Sequence, residues 1–349
     1  MSVNVIYKEK DEQKFWQLWD QLVNETKAST RYLKITLDAW YIISKYLSLY
    51  HSDKSFIYEV NGQPLAGVFL PIEKKNGQLI GSIMDDYIDA PIFSDRSVEK
   101  KVFGIIDEIA KDNKLEKIMF LVDPLEDVNY NFLQKYNYFD TSILNYVIDL
   151  ETDDLMSNIR KGHRGDIKKI LEDKDFSVFC MDKENQNYAV HEEYRKLHHK
   201  CSGRLTRPKE TFDAQFEKLK LGYAVLFGLK RQEKIIAFSY YEFHGSKAAY
   251  ASAADDPDYD KLPLYHVLMY KAMEYLKQKG VRYIDTEPPS APSAQFDYYP
   301  GDKELNIALF KRGFGGHFVQ NFRGVKYFSK ESFGRDLENL INNYSKLIV

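Results

Sequence analysis

VLFGLKRQEKIIAFSYYEFHGSKAAYASAADD, which runs from Val225 to Asp256, consists of three β-rich runs separated by polar turns. An earlier stretch, Ser55 to Asp86, reads SFIYEVNGQPLAGVFLPIEKKNGQLIGSIMDD and aligns with it without a gap. The turns fall at Asn61-Gly62 and Asn76-Gly77 in the first copy and at Arg231-Gln232 and His244-Gly245 in the second. Self-similarity of this length predicts that the chain contains one module twice.

The same order of elements follows each copy. An amphipathic helix comes first, and a short apolar strand comes next, at Lys117 to Val122 and at Val281 to Thr286. A short helix then ends in the segment FKRGFGG, residues 310–316, in the second copy and in residues 133–138 in the first. Lys311 of the second copy stands where the first has Gln134. The two copies therefore differ in charge where chemistry would take place.

The length of the chain and one polar cluster predict two domains. At 349 residues the chain exceeds the size that one core usually serves, and the cluster from Glu151 to Asp154 follows an apolar strand. We expect a first, non-catalytic domain over residues 1–151, joined by a C-terminal helix at 331–349, and a second domain over 152–330 that carries FKRGFGG. The second domain is expected to begin with a helix from Leu155 to Glu172.

The composition is typical of a globular cytoplasmic protein. Hydrophobic residues make up 44% of the chain and charged residues 29%. The two cysteines, Cys180 and Cys201, are too few for a disulfide framework. No charged-then-apolar segment opens the chain and no apolar run approaches 18 residues, so we expect a cytoplasmic protein without a membrane span.

Charge is distributed unevenly along the chain. Residues 1–150 hold 17 Lys and Arg against 23 Asp and Glu, whereas the remaining residues hold 32 against 29. Eleven of those cations, against four anions, lie in residues 195–234. A solvated surface explains most such runs, yet a basic patch is also what meets phosphate groups.

Several motifs carry a resemblance to a known family. A unit of helices, three-strand meander, helix, strand, helix and final strands resembles the acyltransferase module called GNAT. Two such units ending in FKRGFGG resemble the FemAB-like family, in its compact form without a coiled-coil arm. The runs Asn158 to Lys169 and Tyr194 to His198, with Arg204, are similar to family segments. The fold class implied is α/β (α+β): two tandem GNAT-like domains, each a mixed sheet flanked by helices, with a C-terminal helix packing on the first.

The resemblance also implies an activity. FemAB-like proteins transfer an aminoacyl group, usually from aminoacyl-tRNA, to an amine on a peptidoglycan precursor, and relatives act on other envelope glycans. We therefore expect an acyltransferase whose partners are an aminoacyl-tRNA or other acyl donor and a phosphorylated glycan or muropeptide acceptor. A lipid-linked acceptor would add a peripheral membrane contact, and no DNA partner is expected.

Two other functions stay open. One is an acyl-CoA-dependent N-acetyltransferase acting on an amino sugar of a surface polysaccharide. The other is a non-catalytic double-GNAT protein that binds RNA or a glycan carrier. Lys311, retained where the first copy has Gln134, favours an enzyme.

The donor is constrained by two acidic segments. GNAT enzymes bind the pyrophosphate of acyl-CoA with a glycine-rich turn between the third meander strand and the next helix, because backbone N–H groups there bind anions. The corresponding segments, Asp85 to Asp95 and Asp255 to Leu262, have no glycine and are acidic. They favour a donor other than CoA, and no cofactor is expected.

Three residues are candidates for catalysis. Lys311 resembles the family lysine that contacts the 3′ end of the donor, and a cation there would stabilise the tetrahedral oxyanion of acyl transfer. Asp285 and Glu287, at the end of the central strand, could accept the proton of the attacking amine, although structural roles for them are nearly as well supported.

Five further residues are candidates for substrate binding. Phe310 resembles the aromatic residue beside the family lysine, and Arg312 follows that lysine in the last helical turn, where a cation can also simply complement the helix dipole. Arg204 resembles the arginine that holds the diphosphate of the acceptor, with Arg160 or Arg164 as a helper.

No metal site is expected. His191-Glu192-Glu193 does not complete a His-Glu-x-x-His motif, and the two cysteines lack the spacing of a zinc site.

Overall fold

The structure, a computed structural model, describes residues 2–295 and 297–348. Its strands are β1 Val3–Tyr7, β2 Tyr50–Asp53, β3 Phe56–Val60, β4 Gln63–Val68, β5 Pro71–Lys75, β6 Gln78–Gly81, β7 Ile88–Asp89, β8 Ile92–Phe93, β9 Lys117–Leu121, β10 Phe139–Asp140, β11 Ile143–Asp149, β12 Phe176–Met181, β13 Ala224–Arg231, β14 Lys234–His244, β15 Lys247–Asp255, β16 Tyr283–Asp285, β17 His317–Asn321 and β18 Arg323–Tyr327. Its helices are α1 Glu12–Thr26, α2 Lys34–Tyr46, α3 Glu99–Asp112, α4 Leu155–Asn158, α5 Lys161–Glu172, α6 Tyr188–Ser202, α7 Lys209–Leu221, α8 Leu264–Gln278, α9 Asp302–Lys311 and α10 Lys330–Ser345.

The chain forms two compact units. Unit 1 comprises Met1–Leu144, Ser293–Tyr299 and Gln320–Val349, and unit 2 comprises Asn145–Pro292 and Pro300–Val319. Each contains sheet and helix together, as the sequence led us to expect. Within the described residues, no helix combines the length and the apolar character needed to cross a membrane.

Unit 1 has two sheets because its meander is interrupted. Strands β1-β3-β4-β8 form one sheet, and β10-β18-β9-β6-β5-β2 form the other, with β7 also paired to β9. The chain leaves the first sheet after β4 and enters the second at β5, so Phe69 and Leu70 lie between two strands rather than within one. Asn61 and Asn76 adopt left-handed backbone conformations, which fits the expected tight turns.

The C-terminal helix α10 belongs to unit 1, in agreement with the expectation from the sequence. Phe333 packs edge-to-face on Tyr327 of β18, with ring centroids 5.1 Å apart. The same helix places Asp336 within hydrogen-bond distance of Tyr327 and Lys117.

Unit 2 is built on a single mixed sheet in the order β12-β13-β14-β15-β16-β11-β17. The meander β13-β14-β15 is continuous and antiparallel, and its turn residues are Gln232-Glu233 and Gly245-Ser246, one position beyond those predicted. A bulge opposite Tyr240 and Tyr241 leaves Ala251 as an extra residue in β15. The parallel pairing of β15 with β16 covers only Lys247 to Ala249 on the β15 side, so β15 continues to Asp255 without that neighbour.

Helix α8 covers the sheet of unit 2 with a stripe of buried residues at helical spacing, Leu264, Val267, Leu268, Ala272 and Leu276. These side chains belong to a core shared with α5 and the meander. The predicted helix from Leu155 to Glu172 is wrong as a single element, because α4 ends at Asn158 and Ile159 is extended. Arg160 is consequently the N-cap residue of α5 and does not lie on its helical face.

Candidate active site

Lys311 ends α9 as a buried amine. The helix begins after Gly301, whose N–H donates to the Glu304 carboxylate at 2.9 Å, and it ends where Gly313 N–H donates to Phe310 O. The Lys311 side chain is only 4% exposed. Burial lowers its pKa to about 8, although the nearby Glu287 and Asp285 carboxylates act in the opposite direction.

The segment after β16 presents a backbone carbonyl to this amine. Lys311 Nζ donates to Glu287 O at 2.5 Å. The Glu287 backbone is left-handed, with φ of 54°, and its N–H donates to Asp285 Oδ1 at 2.8 Å. Asp285, 2% exposed, also accepts from Asn145 Nδ2 at 2.6 Å. Asp285 and Asn145 therefore orient the backbone that holds Lys311.

A cleft of about 950 Å³ opens beside Lys311 and lies wholly in unit 2. Three elements form its walls. These are the part of β15 beyond Ala249, which is not paired with β16, the Glu287-Pro288 segment, and α9. Lys311 Nζ lies 5.8 Å from the Tyr250 ring centroid, and Phe310 is also at the wall. Small residues, Ala251, Ser252 and Ala253, line the β15 side and leave the space open.

Carboxylates outnumber cations among the residues that line the cleft. Asp255, Asp260 and Glu287 line it, against the cations Lys303 and Lys311. Asp255 Oδ1 accepts from Tyr265 OH at 2.7 Å and from Cys201 Sγ at 3.1 Å. Three carboxylates against two lysines give the lining of the cleft a net negative charge.

Asp256, next in the chain, has a structural role. Its side chain caps the turn at Pro257–Tyr259 and pairs with Lys200 and Lys234. Although burial opposes it, the hydrogen bonds from these two lysines hold the pKa of the Asp256 carboxyl well below its usual range. The acidic segment is thus tied to α6 and to the β13–β14 turn.

His163 packs against the FKRGFGG segment and forms a hydrogen bond with its backbone. Its ring contacts the rings of Phe310 and Phe314, with centroids 5.7 and 4.9 Å away. Its Nε2 lies 2.9 Å from Phe310 O, and since a carbonyl only accepts, the proton must be on Nε2. A Cβ on Gly313 would lie 2.0 Å from the same nitrogen, so glycine is required there.

Arg160 and Arg312 line a second pocket of about 490 Å³, together with the glycines of the FKRGFGG segment. Arg160 Nη2 lies 3.2 Å from His163 Nδ1, and Arg312 Nη1 donates to Ser290 O at 3.4 Å. Neither arginine lines the cleft beside Lys311, so the predicted binding residues do not form one cluster.

The other two arginines lie elsewhere. Arg164 donates to Ser157 O and Ile159 O, both at 3.0 Å, and so satisfies carbonyls at the break between α4 and α5. Arg204 is exposed in the loop after α6 and does not line the cleft, although Cys201, three residues earlier, does.

Several residues of the site were not singled out from the sequence. Tyr250 and Asp255 lie inside the repeated stretch, and His163 lies inside the Asn158–Lys169 run, so their segments were identified but not their contacts. Asn145 could not have been found, because its contact with Asp285 joins β11 to a strand far along the chain.

One group of side chains in residues 2–295 and 297–348 has metal-ligand atoms within 4.8 Å of one another: His163, Asp166 and His266. With a proton on Nε2, His163 has only Nδ1 as an acceptor, and Arg160 occupies it. A cation would also have to lie beside that guanidinium. The group is therefore better explained by packing of the two imidazoles, whose centroids are 4.3 Å apart.

Comparison with known proteins places the fold. Residues 157–292 match the family model described as acetyltransferase (GNAT) domain. The structure is similar to the crystal structure of FemX, with 15% identity over 87% of this chain and 95% of that one and a TM-score of 0.63. It is also similar to L-PGS from Bacillus licheniformis, with 13% identity over 83% of this chain and 89% of that one and a TM-score of 0.56.

A third similar structure is the C-terminal domain of a putative lysylphosphatidylglycerol synthetase from Agrobacterium fabrum, with 13% identity over 77% of this chain and 83% of that one and a TM-score of 0.53. A search of curated proteins found no match. The expected fold class, two tandem GNAT-like domains of mixed sheet and helix, is confirmed, and so is the resemblance to FemAB-like proteins at the level of fold.

Proposed function

We propose that this protein is an acyltransferase, and specifically an aminoacyltransferase that acts on an amine of a nucleotide- or lipid-linked envelope glycan or peptidoglycan precursor. One observation carries the proposal: the Lys311 amine is buried beside the open edge of β15 in a GNAT-like unit, held by a backbone carbonyl. A buried cation in a cleft of this fold is suited to a reaction that develops negative charge on a carbonyl oxygen.

In the proposed reaction, the acceptor amine attacks the carbonyl carbon of the donor ester. A C–N bond forms, and the carbonyl oxygen takes the negative charge, which the Lys311 ammonium stabilises. The intermediate then expels the ribose oxygen of the donor, which takes up a proton, and an amide remains. Phe310 and Tyr250 flank the lysine and limit the water around it.

The attacking amine must also lose a proton. Glu287 lines the cleft, so we propose it as the proton acceptor. Asp285 is proposed to position Glu287, because it accepts a hydrogen bond from the Glu287 N–H. Its negative charge also favours the protonated form of Lys311.

The charge of the cleft supports a donor other than acyl-CoA. Asp255 and Asp260 line it where a pyrophosphate would otherwise bind, and like charges repel. The C-terminal domain of a putative lysylphosphatidylglycerol synthetase has a similar fold, and the product in its name carries a lysyl group. We propose an aminoacyl-tRNA as donor, which places the reaction in the cytoplasm.

Arg204 is proposed to bind the phosphate of the acceptor. Its loop joins α6 to α7, and no hydrogen bond or ion pair of its guanidinium is found in the described part of the chain. Arg164 is proposed to help by holding the carbonyls at the start of α5. An acceptor on a lipid carrier would bring the protein to the membrane surface, and no DNA is involved.

The test is a product assay on the whole chain. The protein is incubated with UDP-linked amino sugars and with muropeptide precursors, with charged tRNA or acetyl-CoA supplied in parallel, and products are identified by mass spectrometry. An aminoacylated acceptor supports the proposal. Acetylation from acetyl-CoA alone, or no product with any pair, would contradict it.

A further inference from the structure

The second pocket of unit 2 has the chemistry of an anion site. It is formed by Arg160 and Arg312, by Asn158, and by the glycine-rich backbone from Gly313 to Gly316. Its volume of about 490 Å³ is enough for a phosphate group with part of its substituent. It is separate from the cleft beside Lys311, since the two have no lining residue in common.

Both guanidiniums lack an anionic partner. Within the described residues, neither Arg160 nor Arg312 forms an ion pair with a carboxylate. One carboxylate, that of Asp149, lines the pocket, and its Oδ1 accepts from Glu151 N–H at 2.7 Å. Two cations against one anion leave the pocket net positive.

The pocket is held in shape from several sides. Arg160 N–H donates to Gly313 O at 2.8 Å, and its guanidinium contacts His163. Gly316 has φ of 133°, and a Cβ there would lie 2.0 Å from Val147 O, so the loop backbone is pressed onto β11. A Cβ on Gly315 would lie 2.9 Å from the Asn158 Cβ, so glycine is required at this position too.

We propose that this pocket binds a phosphate group carried by a nucleotide or by RNA, at a site distinct from the amine cleft. Two guanidiniums match the charge and the several acceptor oxygens of a phosphate better than those of a single carboxylate. An amide from Asn158 and exposed backbone around glycines complete such a site.

The pocket is connected to Lys311 through one chain of contacts. Arg160 contacts His163, whose Nε2 donates to Phe310 O, and Phe310 precedes Lys311 on α9. A bound phosphate would fix Arg160 and, with it, the last turn of α9. Phosphate binding in one pocket thus supports the position of the amine in the other.

Binding is tested with the full chain by calorimetry, with inorganic pyrophosphate, UDP and a short RNA ending in CCA as separate probes. We expect Arg312→Gln and Arg160→Gln each to weaken binding of at least one probe by about tenfold or more, as loss of a charge-assisted hydrogen bond does. Arg231→Gln is the matched control, because this arginine is exposed in the same unit and does not line the pocket.

The source of the phosphate is read from the probes. Binding of UDP and pyrophosphate alone assigns the pocket to a nucleotide-linked substrate. Binding of RNA that Arg312→Gln weakens assigns the pocket to a nucleic acid, because Arg312 lines this pocket and not the cleft. Arg312→Gln decides the result if Arg160→Gln unfolds, since within residues 2–295 and 297–348 the Arg312 side chain has one hydrogen bond, to Ser290 O. The proposal is overturned if no probe binds at millimolar concentration, or if Arg312→Gln binds like the wild type.

Lys311→Ala separates this pocket from the cleft. We expect it to bind pyrophosphate and UDP as the wild type does, because Lys311 does not line the pocket. The RNA probe is left out of this comparison, because the proposed donor would place its 3′ end in the cleft beside Lys311. Loss of pyrophosphate and UDP binding in Lys311→Ala with retention in Arg312→Gln would place the phosphate in the cleft and overturn the inference. These results do not depend on acyl transfer, so the pocket and the proposed function can fail separately.

Discussion

Lys311 is the residue on which the proposed chemistry depends most. Lys311→Ala should lower kcat by roughly 10²-fold or more, as removal of an oxyanion donor does. The fold should persist because the residue is the last of α9. Steady-state kinetics and a thermal melt check both statements. Gln134→Ala, at the aligned position of unit 1, should be harmless, and an active Lys311→Ala enzyme would remove Lys311 from the mechanism.

The pKa of Lys311 predicts how activity depends on pH. Because burial lowers this pKa to about 8, the ammonium form is lost as pH rises through that value, and kcat should fall with it. Lys311→Arg should abolish this falling limb, since a guanidinium stays charged. A pH–rate profile of the wild type that stays flat to pH 9.5 would contradict the assignment.

The titration of Lys311 does not itself destabilise the fold over this pH range. The folded pKa of Lys311 lies below its ordinary value of 10.5, so between about pH 8 and 10.5 the unfolded chain binds more protons at this residue than the folded chain does. The contribution of Lys311 to stability therefore increases as pH rises through this window. A thermal melt at pH 7 and pH 9 separates the two effects.

The proposed role of the Glu287 carboxylate as proton acceptor can be tested without disturbing the hydrogen bond of Lys311. Lys311 is bound by the backbone carbonyl of residue 287, so Glu287→Gln should leave that bond intact. If the carboxylate accepts the proton of the amine, kcat should fall by roughly 10²-fold, within the range for general bases. Unchanged kcat at all pH values would show that Glu287 does not act as the base.

At the scale of elements, the end of α9 is fixed by packing against α5. Gly313→Ala should destabilise the protein by about 1–3 kcal/mol, since its Cβ would overlap the buried His163 ring and overpacking costs this much. Gly165→Ala, in the interior of α5 with no atom within 4 Å of the new Cβ, should instead be neutral or stabilising. Differential scanning calorimetry of both variants checks the difference, and equal melting temperatures would refute it.

The loop between α6 and α7 carries the prediction for the acceptor. Arg204→Ala should raise the acceptor KM by one to two decades, because a charge-assisted hydrogen bond is worth about 1.5–3 kcal/mol and 1.4 kcal/mol is a decade. A contact remote from the reacting amine is made in the ground and transition states alike, so kcat should change less. Arg204→Lys should rescue only partly. An unchanged KM, or equal use of a dephosphorylated acceptor, would contradict the role.

Elements were easier to predict from sequence than contacts between them. Turn residues and apolar periodicity predicted the meanders, α8, α9 and the C-terminal helix, because those signals are local. The break at Ile159 carries no proline or glycine, so the apolar periodicity predicted one continuous helix where the structure has α4 and α5. The Asn145–Asp285 and His163–Phe310 contacts join residues more than a hundred positions apart, which no local pattern reports.

For the molecule as a whole, the distribution of acidic residues predicts that acetyl-CoA binds weakly. Calorimetry should show no tight binding of acetyl-CoA, because Asp255 and Asp260 line the cleft where a pyrophosphate would lie. Asp255→Asn with Asp260→Asn should strengthen any weak binding of acetyl-CoA. Micromolar binding by the wild type would contradict a donor other than CoA.

The interrupted meander of unit 1 limits what a single substitution can achieve there. In unit 2 the strand β14 runs unbroken through the sheet, whereas in unit 1 its counterpart is divided at Phe69 and Leu70 into β4 and β5, which belong to different sheets. Gln134 lies exposed on a short 3₁₀ turn and bonds to Asp140 at 2.6 Å, whereas Lys311 is buried. A lysine introduced by Gln134→Lys would therefore be exposed and would not reproduce the buried amine of Lys311.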